Sequence, residues 1–287
     1  MNHQVTSLAP GLYLVSTPIG TARDITLRAL DTLASADVLA AEDTRSLRRL
    51  MDIHGVSQGD RPLLSYHDHS GGKARAKLLE ALGQGKSVAY ASEAGTPLIA
   101  DPGYDLSREA AQAGHLVTAA PGASAVLTSL TLAGLPTDTF LFAGFLPNAA
   151  KARQTRLREL AGIPATLVIY ESPKRVTASL ADMAEVFGPD RPAALCRELT
   201  KKFEDVRRGT LEELKTSQED TPARGEIVMV IDRSRGQEAS EEEIKAALVK
   251  AMLEFSVKDA AEMVSKAYGI PRRTAYQMAL ALGKDGS

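Results

Sequence analysis

The groups in this chain best placed to handle a proton are acidic side chains that follow short apolar runs. Glu42 and Asp43 follow VLAA, Glu93 and Asp101 punctuate SEAGTPLIADPGY at 92–104, Glu171 closes ATLVIYE, and Glu198 lies in RELTKK. A carboxylate within hydrogen-bond reach of a weakly acidic hydroxyl can act as general base, although taken singly such residues more often cap helices or pair with cations. Their shared position at the ends of apolar runs favours one common ligand site. His67 and His69 of HDH would lie on the same side of a strand, but no third ligand accompanies them, so no metal is expected. The single cysteine, Cys196, excludes an internal disulfide and suits a reducing compartment.

Between these carboxylates lie turns that allow close approach of main chain to a small molecule. Gly95 and Gly103 permit unusual dihedrals while Pro97 and Pro102 fix the path between them, so the 92–104 segment reads either as a wrap around a ligand or as a rigid connection. PGASA at 121–125 places small residues at a helix start, where backbone groups could meet a nucleoside or simply form a tight turn. The first turn, TPIG at 17–20, holds one glycine, and neither G-x-G-x-x-G nor G-x-x-x-x-G-K-[ST] occurs. Ordinary dinucleotide and P-loop binding are therefore disfavoured, and the ligand lacks a phosphate chain.

To bring such turns together the chain repeats one grammar: an apolar run, a turn of small residues, then an amphipathic helix. The runs are Leu12–Ser16, Val38–Ala41, Leu63–Tyr66, Val88–Ala91 and Leu116–Ala120, with the first helix opening near Asp24. This alternation predicts an α/β fold with a mostly parallel sheet and a ligand site at the carboxyl ends of its strands. After LPTD at 135–138 three longer strands, 140–146, 165–171 and 226–231, indicate a second α/β domain and a cleft between the two. The expected division is 1–138, 139–235 and a helical tail at 240–287, whose stretch from Ser256 has the cadence of a helix-turn-helix about Gly269–Pro271 followed by Arg272 and Arg273.

With 287 residues, 44% of them apolar, the chain can bury a substantial core, and no run of apolar residues is long enough to span a membrane. A cytoplasmic location is the default expectation. Its net charge of −2 is not that of an overall nucleic-acid binder, so any such affinity must be local. Residues 145–208 carry 12 basic and 8 acidic side chains against 11 and 14 in 1–144, concentrated at Lys151, Arg153, Arg156 and Arg158 of one predicted helix and at Lys174, Arg175, Lys201, Lys202, Arg207 and Arg208.

In order and spacing, TPIG with DIT, AAEDTR, SEAGTPLIADPGY, PGASA, GFLP, YESPKR and RELTKKFE resemble the ribosomal RNA small subunit methyltransferase I family, of the tetrapyrrole-methylase-like class of S-adenosylmethionine enzymes, over roughly residues 10–235. The resemblance implies two α/β domains of tetrapyrrole-methylase type with S-adenosylmethionine in the cleft, a homodimer, and 2′-O-methylation of a cytidine in the decoding region of small-subunit RNA. It implies cofactor contacts from Pro18, Glu93, Ala94, Gly95, Thr96, Leu98, Ser124, Ala125, Tyr170, Glu171 and the strand around Glu226. Glu93 stands where the family more often has Asp, Thr21 where Asn is commoner, Ala123 where Pro is common and Lys174 where His is common.

For such a transfer the chain must hold a ribose hydroxyl in line and accept its proton. The candidate bases are Glu93, Asp101 and Glu42, in that order, with His67 behind them; phosphates would meet Lys151, Arg153, Arg156, Arg175, Lys201 and Lys202. Two other readings remain open at this point: carbon methylation of a tetrapyrrole, and a non-catalytic RNA-binding or ribosome-assembly scaffold. The first turn lacks the G-x-G-P-G of tetrapyrrole enzymes, and the retained acidic residues disfavour a dead scaffold.

Overall fold

The computed structural model describes residues 3–67, 72–234, 241–268 and 270–284. Its first sheet contains β1 (Gly11–Val15), β2 (Val38–Ala41), β3 (Leu63–Ser65), β4 (Ser87–Ala91) and β5 (Val117–Ala120), in the order β3-β2-β4-β1-β5 with every pair parallel. Every residue of β2 and β4 is buried, which is why these segments read as continuous apolar runs instead of alternating ones. The crossovers are α1 (Leu27–Ser35), α2 (Thr44–Ile53), α3 (Gly72–Gly83) and α4 (Tyr104–Gln112), followed by α5 (Ala125–Ala133) after β5.

Each face of this sheet has its own core. Val15, Leu39 and Ala91 pack with Leu30, Leu33, Leu47 and Met51 of α1 and α2, whereas Leu12, Val88 and Tyr90 pack with Leu78 and Leu106 of α3 and α4. Full burial of each leucine contributes roughly 1.5–3 kcal/mol. The first helix opens at Leu27 and not near Asp24, because Thr26 supplies the cap, its Oγ1 accepting from the Ala29 N–H at 3.1 Å.

The second sheet comprises β6 (Phe140–Phe145), β7 (Thr166–Glu171), β8 (Pro192–Arg197), β9 (Asp205–Thr210) and β10 (Ile227–Ile231), in the order β6-β7-β10-β8-β9. Only β6 and β7 run parallel; β7/β10, β10/β8 and β8/β9 are antiparallel. It has two strands more than the three runs expected. β8 opens on a proline and β9, DVRRGT, has few apolar residues, so neither carries a strong strand pattern. The helices α6 (Ala150–Ala161), α7 (Val176–Phe187) and α8 (Leu211–Asp220) accompany this sheet in the chain, the last opened by a Thr210/Glu213 capping box. Val126, Leu130 and Ala133 of α5 pack on Val168, Ala194, Cys196 and Val228 of the second sheet, so one helix carries the junction between the sheets.

The tail forms α9 (Glu241–Met252), α10 (Val257–Tyr268) and α11 (Arg272–Lys284) around Ile244, Leu248, Val264 and Ala279. Gly269 of the anticipated turn lies outside the described residues. The chain comprises two compact units, Met1–Arg158 with Thr166–Asp232, and Glu159–Ala165 with Arg233–Ser287. Among the described residues no helix is long and apolar enough to cross a membrane.

Candidate active site

The site begins where the carboxyl end of β1 meets that of β4. Thr17 and Gly95 exchange backbone hydrogen bonds at 3.0 and 3.1 Å, and the buried Thr17 hydroxyl lies 3.2 Å from the Ser92 carbonyl and 3.1 Å from its hydroxyl. This bridge ties the first turn to the 92–104 loop. The Thr96 hydroxyl then donates to the Ala123 carbonyl at 3.1 Å, joining the same loop to the turn before α5.

Backbone strain within the loop is concentrated where it curls. Leu98 and Ala100 have φ of 70° and 59°, a left-handed conformation that costs a residue with a side chain on the order of 1 kcal/mol or more. Gly103 has φ 118°, and a Cβ there would lie 2.7 Å from the Tyr90 ring, whose hydroxyl donates to the Pro102 carbonyl at 3.0 Å. Only glycine fits at this end of the loop.

The curl delivers Ala94, Ala100 and Asp101 to one wall of a cavity of about 360 Å3. Ile19 and Ala125 join them from the first turn and the start of α5, while Phe145, Tyr170–Pro173 and Gly225–Val228 come from the strand ends of the second sheet. Burial pushes the Asp101 carboxyl up to about 6, reinforced by the charges of Glu42 and Glu93. Asp101 therefore senses the other two candidate bases, and it is the member that lines the cavity. Tyr170, packed edge-on against Phe142 and Phe145, is pushed up to about 12 by burial and then by Asp101 and Glu226, so it stays protonated at neutral pH.

A cavity of this size, mostly apolar with a few fixed polar groups, suits a nucleoside-sized molecule. The small alanines leave room for it, and the Asp101 carboxylate favours a cationic ligand over an anionic one. The sulfonium of S-adenosylmethionine meets both conditions.

Of the residues anticipated as cofactor contacts, Ala94, Ala125, Tyr170, Glu171 and Glu226 line this cavity. Gly95, Thr96 and Leu98 shape the loop behind it, and Ser124 spends its hydroxyl capping α5 through the Leu127 N–H. Pro18 and Glu93 instead line a second hollow of about 410 Å3, together with residues of α2. Glu171 has no free oxygen to offer: its buried carboxylate accepts from Arg175 Nε at 2.7 Å, the Ser172 N–H at 2.8 Å and the Ser179 hydroxyl at 2.6 Å. Ile19, Ala100, Phe145, Ser172, Pro173 and Gly225 were not anticipated as lining, although TPIG, GFLP and YESPKR contain four of them.

The basic surface needs correction. Arg153 is 5% exposed and donates from Nε to Asp182 at 2.6 Å, so it cannot reach a phosphate. Arg175 is bound by Glu171, Asn148 and the Leu146 carbonyl. Lys201 is held at 3.1 Å by both Glu198 and Glu226, and those charges cancel most of its attraction for an anion. Lys151, Arg156 and Lys202 remain exposed. His67 lies beyond the end of β3, His69 lies outside the described residues, and among the described residues no three His, Cys, Asp or Glu side chains converge as metal ligands would.

The sequence profile of the tetrapyrrole (corrin/porphyrin) methylases matches residues 11–215, and that of the RsmI C-terminal HTH domain matches 238–283. The chain is 47% identical to a ribosomal RNA small subunit methyltransferase I from Mesorhizobium japonicum, over 98% of this chain and 94% of that protein. It is 41% identical to the protein of the same name from Vibrio cholerae, over 97% of each. Among solved structures, uroporphyrin-III C-methyltransferase from Thermus thermophilus complexed with S-adenyl homocysteine superposes with a TM-score of 0.53 at 19% identity, covering 77% of this chain and 97% of that one, a likeness of fold.

Proposed function

Because the chain belongs to the ribosomal RNA small subunit methyltransferase I family, we propose that it methylates the 2′-hydroxyl of a cytidine ribose in the decoding region of 16S ribosomal RNA, with S-adenosylmethionine as methyl donor. The observation that carries this reading is the cavity itself, where alanines and Asp101 from one sheet edge face Tyr170 and Glu226 from the other. When bound, the cofactor supplies an activated methyl group on a sulfonium. Ala94, Ala100, Asp101 and Ala125 hold it from the first sheet, and Tyr170, Pro173 and the Gly225–Val228 strand end hold it from the second.

What remains for the protein is to place the acceptor hydroxyl and remove its proton. The Glu42, Glu93 and Asp101 cluster is the sink for that proton. A carboxyl raised to about 6 is ionised at neutral pH yet more basic than an ordinary aspartate, which suits Asp101 to take it. RNA phosphates lie along Lys151, Arg156 and Lys202. The reading carries with it a homodimer, action in the cytoplasm, and a division into domains 1–138 and 139–235 with a tail at 240–287. The division is supported by the separate strand sets of the two sheets.

The test is to incubate the purified chain with small ribosomal subunits lacking the modification and isotopically labelled S-adenosylmethionine, then to map the product by mass. Label on one cytidine ribose of 16S RNA is expected; label confined to bases, or none, refutes the function.

A further inference from the structure

The end of β6 departs from a regular strand where it reaches the cavity. Phe142 pairs with Val168 and Gly144 with Ile169, so Ala143 is an extra residue and Phe145 falls opposite Tyr170 instead of one step beyond it. Because strand side chains alternate, that one residue moves Phe145 to the face that carries Phe142, and both rings stand edge-on to Tyr170. Gly144 makes the adjustment at φ 67°, and a Cβ there would meet nothing within 4 Å, so the glycine serves the backbone conformation and not a crowded neighbour. Beyond the bulge Arg175 fixes the chain, donating to the Leu146 carbonyl at 3.0 Å and to Asn148 Oδ1.

Phe145 lines the cofactor cavity yet is 58% exposed, whereas Ile19, Ile227 and Val228 of the same lining are buried. A lone exposed aromatic is ordinary on a protein surface. One turned by a bulge to the rim of a ligand cavity, and pinned there, forms a platform whose apolar face suits the π-face of any base. The charge that follows it in the chain favours a polynucleotide base over the adenine of the cofactor: α6 opens at Ala150, directly after the pinned segment, and exposes Lys151 and Arg156. Resting on the function proposed above, we infer that the acceptor base of the RNA stacks on Phe145 at the rim, outside the cofactor, and that its ribose points into the cavity that Asp101 lines. Methyl donor, acceptor hydroxyl and proton acceptor then share one space. The backbone of the acceptor strand continues along α6.

The experiment uses the full chain carrying Phe145→Ala, Phe145→Leu or Phe145→Trp, with KM and kcat measured on small subunits lacking the modification and S-adenosylmethionine affinity by calorimetry. Phe145→Ala should raise KM about tenfold while leaving cofactor affinity within about twofold; Phe145→Leu, which keeps an apolar contact with Tyr170, should lose nearly as much, and Phe145→Trp should recover most of the loss. The last variant also gives the chain its single tryptophan. Its fluorescence should be quenched by protein-free 16S RNA that filter retention shows to be bound, and not by S-adenosylmethionine alone. Wild-type KM in both Phe145→Ala and Phe145→Leu would overturn the inference. So would a loss of cofactor affinity as large as the rise in KM, or quenching by the cofactor alone, since the ring would then belong to adenine. Failure of the parent reading looks different: the wild-type chain itself would put no label on small-subunit RNA.

Discussion

Asp101 shows how a single residue trades stability for chemistry. Its carboxyl titrates near 6 in the fold against an ordinary value of 3.8, so the folded state holds the proton more tightly than the unfolded chain. Stability attached to this group is therefore fully present below about pH 4 and declines as pH rises through 6. Asp101→Asn should raise stability by on the order of 1–2 kcal/mol at pH 8 and leave it unchanged at pH 4, while lowering methyl transfer at least tenfold. Thermal melts at the two pH values check the first claim, and kcat at pH 8 the second. Wild-type activity should likewise climb through pH 6 as the carboxyl ionises, and a flat profile between 5 and 7 would exclude it as the proton acceptor. Arg153 makes the opposite case. Its ion pair with Asp182 is internal, so Arg153→Ala should cost roughly 3–5 kcal/mol in a denaturant melt by stranding a buried charge. Lys151→Ala with Arg156→Ala should leave stability nearly unchanged and weaken RNA binding.

At the scale of elements, the site depends on a loop pinned at three points: Thr17 to Gly95, Thr96 to the turn before α5, and Gly103 beneath Tyr90. Gly103→Ala combines an unfavourable φ with a collision against the Tyr90 ring, and should destabilise by roughly 2–3 kcal/mol and reduce cofactor affinity together. A calorimetric titration showing wild-type affinity in this variant would disconnect the loop from the site. A comparable constraint holds the second sheet, where a Cβ on Gly225 would lie 2.2 Å from the Glu198 carboxylate that receives the Glu226 N–H. The loop's glycines and prolines were legible in the sequence because they act locally, through φ. The left-handed Leu98 and Ala100 were not, since nothing in those residue types asks for that conformation.

At the scale of the molecule, one cavity drawing on both sheets makes ligand binding and folding one equilibrium. S-adenosylmethionine at a hundredfold excess over Kd should add about 2.7 kcal/mol to the stability of the unit that contains both sheets, and a scan with and without cofactor should show a rise in Tm of several degrees. No shift would place the cofactor elsewhere. The alternation of strand and helix, the parallel first sheet and the motifs around the cavity were determined by sequence alone, because each follows from a short stretch: an apolar run, a turn residue, a helical period. Which carboxylates share a charge environment, which arginines face solvent, and the pairing of β8 with β9 were decided only by tertiary structure. Glu42, Glu93 and Asp101 interact across nearly sixty positions of chain, and Arg153 meets Asp182 across 29. Burial and Coulomb energy depend on distance through space, which no local pattern of residue types encodes.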